Sequence, residues 1–120
     1  MKPLLFVGTS REDLKEFPDD VRDVMGYALY EAQSGGKHRN AKPLKGFGSA
    51  SVLEIVDDFD GNTYRAIYTV KFRDAIYVLH AFQKKSKQGI ATPKQDINLV
   101  KKRFKLAEQE FEAWFKQRKL

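Results

Sequence analysis

The sequence predicts an α+β fold: a twisted antiparallel sheet, two N-terminal helices packed on it, and a long C-terminal helix, in the order β-α-α-β-β-β-α. Three observations carry this. Residues 51–82 are rich in β-formers and alternate around two turn signals, the pattern of a three-stranded meander. Residues 21–32 and 97–114 instead repeat apolar side chains every three or four positions, the spacing of a helix buried along one stripe. A chain of 120 residues, 42% hydrophobic, has room for one core, so residues 1–120 read as a single domain.

Residues 3–8 are a short apolar run ending at Gly8, a strand. Ser10 followed by Asp13 resembles an N-cap with an acid at its third position and opens a short helix over about 11–17. Pro18 with Asp19 and Asp20 marks a second helix start, because proline suits a first turn and acids suit the positive helix end. Gly35 and Gly36 end it, and the basic, glycine-rich stretch 35–49 reads as a loop. Strands at 51–57, 63–71 and 75–82 follow, with Asp60-Gly61 and Arg73-Asp74 as turns. After a polar loop, Thr92-Pro93-Lys94-Gln95 has the form of a capping box. It starts a helix over about 93–119, roughly 40 Å at 1.5 Å per residue. That exceeds the width of a compact domain this size, so part of the helix should project or be covered by a partner.

Composition excludes several classes. Zero cysteines remove disulfide scaffolds, thiolate zinc sites and cysteine nucleophiles. No apolar run reaches a membrane span, and the N-terminal one is too short for a secretory leader, so a cytoplasmic protein without membrane contact is expected. Charge is lopsided. Residues 1–82 hold 11 basic and 12 acidic side chains; the last 38 hold 11 basic and 4 acidic. A basic sector on a neutral body points to a polyanionic partner, with a solvated helix face as the alternative.

Two-residue turns would pair Val56 with Arg65, Arg65 with Phe82 and Ile67 with His80. One face then collects Leu53, Ile55, Tyr64, Ala66, Tyr68, Tyr77, Leu79 and Ala81 for the core. The other, mixed and partly exposed, collects Val52, Glu54, Val56, Arg65, Ile67, Val78, His80 and Phe82. Arg65, His80 and Lys84 are the candidate catalytic residues; Lys42, Lys45, Lys85 and Lys87 are candidate RNA contacts. Cations around a phosphodiester with an imidazole nearby suit attack by the RNA's own 2′-hydroxyl, which needs a base, charge stabilisation and an acid. No cofactor is implied, and without clustered carboxylates or paired histidines no metal is expected. The quieter readings stay open: Arg65 as an ion pair with Glu54, and His80 as a satisfied histidine at a sheet–helix boundary.

Lys42-Pro43-Leu44-Lys45-Gly46, Leu53-Glu54, Tyr64-Arg65, Leu79-His80-Ala81-Phe82 with Lys84-Lys85, and Thr92-Pro93 occur in this order. In that series the chain strongly resembles the phage-related HigB-like toxins of the RelE/ParE superfamily. The resemblance implies the toxin of a type II toxin–antitoxin pair. Such a toxin is an mRNA endoribonuclease acting without metal, often on the ribosome, and silenced by a helix-turn-helix (HigA-like) antitoxin. Many relatives read Glu-Leu-Arg where this chain has Glu54-Ile55-Val56, so Val56 replaces one cation. The superfamily also contains ParE-like gyrase inhibitors, and a decayed toxin serving as a binding module is the third alternative.

Overall fold

Aspartate and glycine tolerate the left-handed backbone that a two-residue hairpin needs, and Asp60 and Gly61 adopt it, with φ of 50° and 80°. In the computed structural model, which describes residues 1–48, 50–84 and 91–118, they join β3 (Val52–Phe59) to β4 (Asn62–Thr69). The turn sets Val56 opposite Arg65, as the sequence predicts.

β5 (Ile76–Lys84) pairs antiparallel with β4. Arg65 faces Phe82 and Ile67 faces His80, as expected, but the ladder then shifts, and Tyr68 faces Val78. Leu79 is the extra residue of a β-bulge, and the connection spans residues 70–75 rather than a two-residue turn at Arg73-Asp74. The bulge changes which side chains share a face. Ile76 and Val78 join Ala66 and Tyr68 in one core cluster, while Tyr77 and Leu79 join Val52 and Ile67 in the other. The expected placement of Tyr77, Leu79 and Val78 is reversed for this reason.

Two short strands complete the sheet. β1 (Leu4–Phe6) lies parallel to β5, and β2 (Ala41–Pro43), within the stretch expected to be a loop, pairs antiparallel with β3. The sheet order is β1-β5-β4-β3-β2. The α+β class holds, but the sheet has five strands, is mixed rather than antiparallel, and the element order is β-α-α-β-β-β-β-α. Proline is tolerated in β2 because an edge strand leaves one side unpaired.

Thr9 rather than Ser10 holds the N-cap position of α1 (Ser10–Lys15), without a side-chain bond to the helix's backbone N–H groups. The Thr9 hydroxyl donates to Asp13 at 2.8 Å, while the buried Ser10 hydroxyl donates to the Val78 carbonyl. α2 (Asp19–Gln33) buries Val21, Met25, Ala28, Leu29 and Ala32 against the sheet, the stripe its spacing predicts. α3 (Lys94–Arg118) supplies Val100 and Ala107 to the second cluster, so both sheet faces are covered. At 25 residues α3 is roughly 37 Å long. The molecule measures 51 × 27 × 24 Å, and the helix end projects with Trp114 and Phe115 exposed. No helix among the described residues is long and apolar enough to cross a membrane.

Candidate functional site

The centre of the site is Glu54 on β3, 5% exposed. A carboxylate taken that far out of water needs partners. Three converge on it from different elements. Arg65 of β4 donates Nη1 to Oε2 at 3.0 Å, and the Thr92 hydroxyl, just before α3, donates to the same oxygen at 2.7 Å. Lys42 of β2, directly opposite Glu54 in the ladder, places Nζ 3.8 Å from Oε1. The short edge strand therefore brings Lys42 to the carboxylate.

These side chains line a pocket of about 220 Å³ together with Lys45, Val56 and Ile97. Lys42 and Lys45 are exposed at its rim. Arg65 is 3% exposed and lies at its floor. Val56, opposite Arg65 in the ladder, lines the same pocket, so an arginine at that position would have added a second guanidinium there.

His80 goes elsewhere. It is 7% exposed, its Nε2 lies 2.8 Å from Asp96 Oδ1 on α3, and its ring stacks on Phe82 at 4.8 Å between centroids. Its Nδ1 is buried without a hydrogen-bond partner among the described residues. The pocket lining does not include it. The expected partly exposed face carrying Arg65 and His80 side by side is thus corrected: both groups are buried. Arg65 is held by Glu54, and His80 sits beneath the first turns of α3. The physical reason is α3 itself, which covers the face left open in the sequence reading.

Lys84 ends β5 opposite Thr63, half-buried, two ladder positions or about 7 Å from the Arg65–Phe82 pair, and outside the pocket lining. Lys85 and Lys87 lie outside the described residues. Of the seven candidates, the structure brings Arg65, Lys42 and Lys45 together. Sequence reasoning missed Thr92 and Asp96 as partners, and Arg103, whose guanidinium donates to the Leu79 carbonyl at 3.0 Å and to Thr9 at 3.2 Å. Thr92 does stand out in the sequence, but through the capping-box pattern Thr92-Pro93-Lys94-Gln95, which points to a helix start and not to Glu54.

Chemically the pocket offers cations at rim and floor and one buried carboxylate, a set suited to an anion bearing an ionisable hydroxyl. Comparison with known proteins adds a family. The model of the family described as Phage derived protein Gp49-like (DUF891) matches residues 12–105. The chain belongs to this Gp49-like family. The family is one of RelE/toxin-like proteins. The Gp49-like match takes in β2 to β5 and the first half of α3, and with them every pocket-lining residue. No curated protein matches the chain.

Proposed function

We propose that this Gp49-like chain is a HigB-like toxin of a type II toxin–antitoxin system, an mRNA endoribonuclease that works without metal and associates with the ribosome. The supporting observation is a guanidinium, Arg65, at the floor of a pocket rimmed by Lys42 and Lys45, beside the carboxylate of Glu54. In this reading Lys42 and Lys45 hold the phosphates. Glu54 takes the 2′-hydroxyl proton, the 2′-oxygen bonds to phosphorus, and Arg65 stabilises the phosphorane charge. The bond to the 5′-oxygen breaks, and that oxygen takes a proton from water, leaving a 2′,3′-cyclic phosphate and a 5′-hydroxyl. His80, tied to Asp96, positions the start of α3 and with it Thr92. A HigA-like helix-turn-helix antitoxin would cover the pocket or the projecting end of α3.

The test is incubation with RNA and with translating ribosomes in EDTA, with product ends mapped. Wild type cleaves; Arg65→Ala and Glu54→Gln lose at least about a hundredfold, the scale of one transition-state contact. Removing one member of a buried ion pair costs about 3–5 kcal/mol, so both variants are checked for folding. The exposed Lys45→Ala keeps the fold and loses activity. Absence of cleavage in both settings overturns the reading.

The tight Arg65–Glu54 pair and Val56 favour a second reading, a non-enzymatic ParE-like inhibitor or binding module. Induced expression separates the two. The nuclease halts translation first, a gyrase inhibitor halts replication first, and a decayed toxin halts neither.

A further inference from the structure

An α-helix advances about 100° per residue, so the flanks of α3 can be assigned from its contacts. Measured from Ile97, Lys94, Lys101 and Lys105 fall about 40–80° to one side, while Asp96 and Arg103 fall about 100–120° to the other. The second flank is anchored: Asp96 meets His80, and Arg103 reaches the Leu79 carbonyl, both on β5. The lysine flank is turned about 100–160° from the buried Val100 and Ala107, so it points to solvent on the side of α3 where Ile97 borders the pocket. The turn after β2 stands there. A Cβ at Gly46 would come within 3.9 Å of Ile97 Cγ2, and Phe47 packs edge-on against Phe104 with centroids 6.3 Å apart.

Two cationic walls result. The β2 side carries Lys42 and Lys45; the α3 side carries Lys94, Lys101 and Lys105, spread over roughly 16 Å of helix. All five are exposed. Among the described residues, the three on α3 have no acidic side chain within salt-bridge distance. Glu108, next along the same flank, is taken up by Lys71. Uncompensated like charges repel, so a row of them left unpaired suits a polyanion that neutralises it.

We propose that Lys94, Lys101 and Lys105 are one wall of a groove that guides a single RNA strand, phosphates against the lysines, into the Arg65 pocket. This rests on the RNA-cleaving reading and adds to it the path of the substrate. The strand is single because a pocket of about 220 Å³ has no room for paired bases. Positive grooves that track the backbone are a general solution for single strands.

The probe is a fluorescent, fully 2′-O-methylated RNA 20-mer, which binds without being cut, titrated by anisotropy across a salt series. Single-strand binding falls with log salt at a slope of about −0.7 per neutralised phosphate. The triple variant Lys94→Gln/Lys101→Gln/Lys105→Gln is expected to make the slope shallower by about 2, and to weaken binding about a hundredfold at 0.1 M salt if the lines meet near 1 M. A control with the same loss of charge, Lys15→Gln/Lys37→Gln/Lys102→Gln, should keep the wild-type slope to within about one phosphate contact.

Equal shifts in both triples, an unchanged slope in the α3 triple, no binding by wild type, or tighter binding to a duplex of the same sequence would each overturn the groove. Its fate separates from that of the enzyme. A shifted slope without cleavage keeps the groove and removes the nuclease. Arg65-dependent cleavage with a wild-type slope in the α3 triple does the reverse.

Discussion

Tyr68 shows how one buried hydroxyl sets an alkaline limit. It is 1% exposed on the α2 side of the sheet. Burial first, and the negative charge of Glu31 second, push its pKa up to about 12 from an ordinary 10. The native state thus resists ionisation that the unfolded chain accepts. Ionisation of Tyr68 leaves stability untouched below pH 10 and lowers it as pH rises from 10 through about 12. Tyr68→Phe is expected to flatten that decline, read as urea midpoints at pH 9, 10 and 11. Tyr77, also raised by burial and by Glu110, keeps part of it. An equally steep decline in the variant would contradict the assignment. At the site, Arg65 with Glu54 was legible because strand alternation alone puts them on one face. Thr92, Asp96 and Arg103 were not: their partners lie on strands that only the docking of α3 brings near.

Among the elements, α3 separates anchored residues from projecting ones. Phe111 packs on Phe72 with centroids 4.8 Å apart, whereas Leu106 is 46% exposed. Phe111→Ala should cost about 1–2 kcal/mol, below the 3–5 of a fully buried phenylalanine, and Leu106→Ala less than about 0.5. Urea midpoints at constant slope check both. Equal costs would mean that the helix end docks differently. The helices and the β3–β4 hairpin could be read from sequence because each carries its period over several residues or its own turn chemistry. β2 could not, since Ala41–Pro43 is too short to show alternation and contains a proline. The bulge left no mark either. Residues 76–82 hold no glycine, and apolar residues fall on both faces there because both faces are covered.

In the whole molecule, one sheet separates two cores. Val21 and Val100 are each 0% exposed, the first in the α2 cluster and the second in the α3 cluster. The clusters share no residue, yet β4 and β5 give alternate side chains to each: Ala66 and Val78 to one, Ile67 and Leu79 to the other. Neither can dissolve while the other keeps its strands in register, so the chain should unfold in one step. Val21→Ala and Val100→Ala each remove two buried carbons, at about 0.8 kcal/mol per carbon plus a cavity term, hence about 2 kcal/mol apiece. Placed on opposite faces without a common neighbour, they should add to within about 0.5 kcal/mol in the double variant. Circular dichroism and tryptophan fluorescence should give one shared urea transition for all three variants, with unchanged slope. Trp114 lies on the α3 side, so fluorescence leading circular dichroism in Val100→Ala would show the α3 cluster melting alone and the two cores to be independent.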